Sequence, residues 1–294
     1  MRAALITELG RPPQVGEAPG LGADSLAVLA APLNPLDVAV AAGRFYGGHP
    51  PLPFVPGCEC VGREQSGRVV WTFGGGLGLA RNGAMAERSL RGAVVVEVPD
   101  GADPALVAAL GIAGLAGWMP LAWRAPVRAG DRVLVLGATG TVGQVALQAA
   151  KLLGAAHVVA AGRDSTGLRR ALELGADDAV DLDGDFGEPT YVVDPLCGEP
   201  LERAVAAAAP GARIVQLGQS AAPAATLPSA AVRGKQLEIY GFSDFGAPAD
   251  VLAEHYRRLV GHAAAGEIRL DVERIGLDEL GAAWDRRGKV VVCA

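Results

Sequence analysis

The sequence predicts a doubly wound α/β domain joined to a β-rich one, and three observations carry that expectation. Val133-Leu-Val-Leu-Gly-Ala-Thr-Gly-Thr-Val-Gly143 reads as the end of a buried strand, then a glycine-rich turn that opens directly into a helix. From Asp131 onward, strand-length apolar runs alternate with helical stretches, the pattern of a parallel sheet covered on both faces. Residues 1–100 are rich in Pro and Gly, with short apolar runs at Leu26–Leu29, Arg68–Thr72 and Val94–Val98, which suits an irregular β domain.

Taken in order, Asp103-Pro104 supplies an N-cap and a proline in the first helical turn, opening a helix through about Leu110. Strands are then expected at 133–136, 157–161, 178–182, 190–194, 213–217 and 237–240, with helices near 142–153, 166–174, 199–208 and 228–234. Val142, Val145, Ala146, Ala149, Ala150 and Leu153 share one helical face. The unit that runs from strand 133–136 to strand 157–161 takes about 30 residues, the length of a dinucleotide-binding βαβ unit. Unpaired N–H groups and a partial positive charge at the helix start would hold a pyrophosphate, and the small residues Ala138, Gly140 and Gly143 permit its close approach. A helix from Pro248 to Gly266 leads on to a strand, Lys289–Cys293, expected to return to the first domain.

The 294 residues suffice for one large domain or two ordinary ones, and with 50% hydrophobic and 20% charged residues a packed core is expected. No apolar run approaches the ~18 residues of a membrane span, and Met1-Arg-Ala-Ala-Leu-Ile reads as a strand start rather than a signal peptide. Four scattered cysteines, Cys58, Cys60, Cys197 and Cys293, do not form a disulfide framework, so a reducing cytoplasmic setting is expected. The net charge of −6 argues against nucleic acid or an anionic membrane as partner.

The segment Val127–Gly154 resembles the medium-chain dehydrogenase/reductase family, as do Asn34-Pro-Leu-Asp37, Pro51-Leu-Pro-Phe-Val-Pro-Gly57 and Gly288-Lys-Val-Val-Val292. The resemblance runs in order along nearly the whole chain. It implies a Rossmann domain, residues 118–247, inserted into a β-rich, GroES-like catalytic domain built from residues 1–117 and 248–294. It also implies an active site in the cleft between them.

In this fold the end of the second strand distinguishes the nicotinamide cofactors: a carboxylate binds the ribose hydroxyls, whereas an arginine accommodates a 2′-phosphate. That strand end reads Ala161-Gly162-Arg163-Asp164. Glycine at 162 removes repulsion and bulk, and Arg163 can bind a phosphate, so NADP(H) is expected. A shift of one residue would make Asp164 the ribose ligand, favouring NAD(H).

Zinc-dependent relatives resemble one another in a Cys, a Gly-His-Glu and a further Cys. The matching positions here are Asn34, Gly57-Cys58-Glu59 and the neighbourhood of Ile112, too few ligands for a catalytic zinc. The lobe of four cysteines that holds a structural zinc in many relatives is also missing, so no metal is expected. Cys58 and Cys60 would share one face of a strand as small buried hydrophobes, with metal or redox chemistry the alternative.

Among zinc-free relatives the chain looks most like quinone oxidoreductases and enone reductases. A quinone or α,β-unsaturated carbonyl is already activated for hydride transfer and needs no Lewis acid. Asn34 is the expected hydrogen-bond donor to the nicotinamide or the substrate carbonyl. Asp37 would orient that segment or serve as a helix-start carboxylate, and Tyr46 would border the substrate and donate to a developing oxyanion, or pack at the domain edge. Cofactor contacts are expected from Ala138, Thr139, Gly140, Thr141, Val142 and Gly143, from Gly162 and Arg163, from Asp194 and Leu196, from Gly218, Gln219 and Ser220, from Gly241, Phe242 and Ser243, and from Lys289. The resemblance further implies a homodimer joined through Leu237–Tyr240. Two alternatives stay open: a reductase or dehydrogenase of a biosynthetic intermediate, and a non-catalytic NADP(H)-binding redox sensor.

Overall fold

A computed structural model describes residues 1–293, which group into two compact units. The first comprises Met1–Ala113, Ala247–Gly261 and the residues from Asp271 on; the second comprises Gly114–Gly246 and His262–Leu270. No helix among the described residues is long and apolar enough to cross a membrane.

The first unit begins with a β ribbon, β1 (Arg2–Leu5) against β2 (Gln14–Glu17). Next come β3 (Leu26–Pro32), α1 (Pro35–Ala41), β4 (Glu59–Arg63), β5 (Val69–Phe73), β6 (Arg88–Ser89), β7 (Val94–Glu97) and α2 (Pro104–Ala109). The helix α3 (Ile112–Met119) continues through a π-helical turn, Pro120–Arg124. Asp103 caps α2 as expected, its Oδ1 accepting from Ala105 N at 3.2 Å. Asp103→Ala is expected to cost about 1 kcal/mol, readable as a lower denaturation midpoint.

The second unit holds β8 (Arg132–Leu136), α4 (Thr141–Leu152), β9 (His157–Gly162), α5 (Ser165–Glu173), β10 (Asp178–Asp181), β11 (Tyr191–Asp194), α6 (Gly198–Ala207), β12 (Arg213–Gln216), α7 (Ser229–Gly234) and β13 (Glu238–Gly241). All six strands pair in parallel, in the order β10-β9-β8-β11-β12-β13. This is the doubly wound Rossmann arrangement, and the order reverses between β8 and β11, where such sheets receive a ligand beyond their carboxyl ends. Its core on one face is Leu134, Leu136, Val192, Leu201, Val205 and Ile214.

The chain closes with α8 (Ala249–Ala264), β14 (Val272–Ile275), α9 (Leu280–Ala283) and β15 (Lys289–Cys293). As expected, the last strand joins the sheet of the first unit, pairing with β14 and β3 in the order β14-β15-β3-β4-β5-β7.

The division departs from the expected limits of 117/118 and 247/248 in three places, one of them a single-residue shift that puts Ala247 in the first unit. The first boundary falls after Ala113, because Gly117 lies so close to α4 that a side chain there would stand 2.6 Å from Val142 O. Residues His262–Leu270, expected with the β-rich domain, group with the Rossmann sheet. Gln148, on α4, explains this: its Oε1 accepts from Arg269 N and its Nε2 donates to Arg269 O, each at 2.9 Å. The His262 ring also lies 5.1 Å from that of Trp118.

Candidate functional site

In the second unit, the expected cofactor residues gather at one edge of the sheet. Gly137–Gly143 follows β8, Gly162 ends β9 with Arg163 next, Asp194 ends β11, and Gly241 ends β13. Ala138 N donates to Ala161 O at 3.0 Å and Phe242 N to Gln216 O at 2.9 Å, so each loop is tied to the neighbouring strand end. Helix α4 starts at Gly140 with no side-chain cap, which leaves its first N–H groups for a ligand. A Cβ at Gly143 would stand 2.4 Å from Gly137 O and 2.5 Å from Ala138 Cα, so the turn is closed by backbone packing that excludes any larger residue. At Gly140 a Cβ would meet only Gly137 O, at 3.5 Å. The cradle therefore fits a pyrophosphate.

Gly162 has a different reason from the one expected. A Cβ there would lie 2.7 Å from Thr139 Cγ2, and one at Gly167 would also lie 2.7 Å from that methyl. Thr139 is wedged between two glycines, so glycine at 162 accommodates the turn before it accommodates any phosphate. Gly167 went unnoticed in the sequence, where nothing marks it as facing a residue 28 positions earlier.

Asp164 is occupied. It caps α5, its carboxylate accepting from Thr166 N at 3.3 Å and Gly167 N at 2.9 Å. Arg163 beside it is exposed, and among the described residues it makes no hydrogen bond or ion pair.

Asp194 is wholly buried, and burial holds its carboxyl above the usual range. Its Oδ1 accepts from Leu196 N and Cys197 N, both at 2.9 Å, and holds Cys197 at φ 59°, ψ −169°, a conformation unusual for any residue but glycine. Its Oδ2 has no protein partner among the described residues, nor has Gln144 Oε1, whose amide nitrogen donates to Thr139 O at 3.1 Å. Buried oxygens rarely go unpaired, and these two lie on the strand-end loop and the helix that a nucleotide would meet. Ser220 Oγ donates to Pro195 O at 3.1 Å, joining the loops after β11 and β12. Phe242 is buried, its ring 6.4 Å from that of Trp123. Gln219 and Ser243 are exposed.

In the first unit, the expected catalytic residues take unequal places. Tyr46 is 88% exposed, with its ring 4.5 Å from that of Phe45. Asn34 and Asp37 are buried in a polar centre. Asp37 Oδ2 accepts from Asn34 N at 2.8 Å and its Oδ1 from Cys58 N at 2.9 Å, so it orients the Asn34 segment and at the same time is the helix-start carboxylate of α1. Asn34 Nδ2 donates one hydrogen to Glu59 Oε1 at 2.9 Å, leaving its second for another acceptor. Glu59 Oε2 accepts from Trp71 Nε1 at 2.8 Å and Ile112 N at 2.9 Å. Lys289, expected beside the cofactor, is buried here against Asn34; its Nζ donates to Asn34 Oδ1 at 2.6 Å and reaches Leu33 O at 3.4 Å. The register of β15 against β3 fixes that placement.

Burial raises Glu59 and Asp37 above the usual carboxylate range and lowers Lys289, while the ammonium pulls both carboxyls back down. Cys58 and Cys60 are buried thiols, and burial pushes Cys60 up to about 12. Trp71 and Tyr256 stack at 4.1 Å over this centre, with the Tyr256 hydroxyl donating to Val107 O at 2.8 Å. Sequence reasoning missed Trp71 and the backbone of Ile112. The available signal was Glu59 itself, a lone carboxylate in an apolar strand that must find donors.

Gly111 is where this centre tolerates least. A Cβ there would stand 1.7 Å from Glu59 Oε2 and 2.5 Å from Trp71 Nε1. Gly111→Ala is expected to cost about 2 kcal/mol through overpacking, with a blue- or red-shifted Trp emission reporting the displaced ring. Unchanged stability and emission would show that the centre can relax.

The family model described as zinc-binding dehydrogenase matches residues 141–254, from the start of α4 into α8. Quinone oxidoreductase-like protein 2 of Mus musculus is 28% identical over 82% of this chain and 74% of its own length. The quinone oxidoreductase of Thermus thermophilus, solved also in complex with NADPH, is 28% identical, with a TM-score of 0.85 and full coverage of both chains. The fold and these full-length likenesses are those of the medium-chain dehydrogenase/reductase family. Another relative is a phenolphthiocerol/phthiocerol polyketide synthase of Mycobacterium tuberculosis, 32% identical over 65% of the chain. The chain spans only 9% of that synthase's length.

Zinc is implied by the name of the matching family model, and the residues at the corresponding positions do not suit it. Among the described residues no group of three or more His, Cys, Asp or Glu side chains is arranged to hold a metal ion. Asn34 and Glu59 are engaged by an ammonium and by N–H donors, and Ile112 offers no ligand.

Proposed function

We propose that the protein is an NADPH-dependent, zinc-independent reductase that passes hydride to a quinone or an α,β-unsaturated carbonyl. The observation that carries the cofactor choice is the pairing of an occupied Asp164 with an uncommitted Arg163. The carboxylate that could have bound a ribose diol is consumed in capping α5, and the adjacent guanidinium is left for a 2′-phosphate. The turn 137–143 and the start of α4 would hold the pyrophosphate, and Asp194, Leu196 and the loops after β12 and β13 the remainder.

When bound, the cofactor supplies a hydride to an electron-poor carbon. The chain's own residues position and protonate. Asn34, oriented by Lys289 and Glu59, keeps one amide hydrogen for a carbonyl oxygen. Tyr46 is exposed and carries the hydroxyl suited to deliver a proton to the reduced oxygen. A conjugated acceptor fits this machinery, because it needs no cation to polarise it.

A second acceptor class is favoured by the likeness to the mycobacterial polyketide synthase, namely the activated alkene of a biosynthetic intermediate. Following NADPH and NADH oxidation separately, with a benzoquinone and then an enone in the presence of a chelator, separates the readings. NADPH-selective turnover that survives chelation is the expected result. Cofactor binding without turnover on either acceptor would leave a nucleotide-binding sensor. The edge strand β13, where Ile239 is 42% exposed, suits pairing with a second copy, which light scattering during size exclusion would test.

A further inference from the structure

The polar centre of the first unit holds two carboxyls and one ammonium, with Asp37, Glu59 and Lys289 each no more than 4% exposed. Its geometry is closed. The Asn34 amide is held at both ends, by Lys289 Nζ at 2.6 Å and by Glu59 Oε1 at 2.9 Å, so it cannot flip without breaking two bonds. Both Glu59 oxygens and both Asp37 oxygens already accept from N–H donors. The positions that correspond to metal ligands in zinc-dependent relatives have therefore been brought together in space, around a different charge.

We infer that Lys289 is the resident cation of this centre: its ammonium offsets part of the charge of the buried Glu59 and Asp37 carboxyls, fixes Asn34, and fills the electrostatic role for which a metal ion has no ligands here. A buried anion without a counter-charge is strongly unfavourable, and removing the single cation would leave two. A metal at Asn34 Oδ1 would have to displace the ammonium or face its charge at contact distance. This inference goes beyond the proposed reaction and is independent of the hydride acceptor.

The charged groups that face one another are Asp37 from α1, Glu59 from β4 and Lys289 from β15, and the neighbouring Cys58, Cys60 and Tyr256 are neutral. Without the ammonium, both carboxyls would titrate in the folded chain above their unfolded values. Such groups destabilise the fold increasingly as pH rises past the unfolded carboxylate range.

The test uses the full chain with Lys289→Met, Glu59→Gln and the double variant, melted at pH 5.5 and pH 8. Lys289→Met is expected to lower the melting temperature by about 10 °C at pH 8 and by clearly less at pH 5.5. The double variant should recover part of the loss. An equal loss at both pH values, with a double variant equal to the sum of the single ones, would overturn the inference and leave Lys289 as packing only. Wild-type protein incubated with zinc and desalted gives a second measurement that needs no variant to fold. No stoichiometric metal and no change in melting on adding chelator are expected. About one zinc per chain, lost on Cys58→Ser, would overturn it.

Discussion

Arg163→Gln should raise the dissociation constant for NADPH by about 10- to 100-fold and leave that for NADH within about threefold. A charge-assisted hydrogen bond to a phosphate is worth roughly 1.5–3 kcal/mol, which converts to that ratio. Specificity for the phosphate follows from what surrounds the guanidinium. Asp164 turns its carboxylate onto Thr166 N and Gly167 N, and among the described residues it makes no ion pair with Arg163. Fluorescence titration with each cofactor reads the effect directly. An equal loss for both would mean that Arg163 shapes the loop rather than reading the phosphate. Asp164→Ala is the control: it removes the cap, which costs about 1 kcal/mol of stability, and should not convert the preference.

Arg213→Met should destabilise the protein by about 3–5 kcal/mol while leaving cofactor affinity unchanged. Arg213 is almost fully buried and forms an ion pair with Asp131, and its guanidinium lies 4.9 Å from the centre of the Tyr191 ring. Asp131 also accepts from Thr190 Oγ1 at 3.0 Å, so removing the arginine strands a buried carboxylate inside a network. The pair stands at the amino ends of β8 and β12, whereas the glycine turn follows the carboxyl end of β8. Stability and binding should therefore separate. Chemical denaturation and cofactor titration on the same preparation check this. Restored stability in Arg213→Met with Asp131→Leu would show that the stranded charge, rather than lost packing, sets the cost.

Much of the fold was legible because local patterns and global topology agree. Each expected strand of the parallel sheet lies within a residue or two of its observed limits, since four to six apolar residues bounded by turns have few other solutions. The gathering of the candidate cofactor residues at one edge was legible for a related reason: in a parallel sheet every loop after a strand's carboxyl end emerges on the same side. Residues 262–270 were misassigned because their allegiance rests on Gln148, whose two bonds to the Arg269 backbone span 121 positions.

The primary sequence specified the class of the fold, the glycine-rich turn before α4, the return of the last strand and the identity of the residues at the metal positions. It did so because these depend on residue type and short spacing. The tertiary structure alone decided what those residues do. Glu59 and Lys289 lie 230 positions apart, and only the pairing of β15 with β3, and of β3 with β4, brings their charges into one buried centre. On sequence grounds a one-residue shift would make Asp164 a ribose ligand; the fold puts it at the start of α5, where its carboxylate accepts from Thr166 N and Gly167 N. Burial and long-range pairing fix the partners of a polar group, and neither is written in its neighbours along the chain.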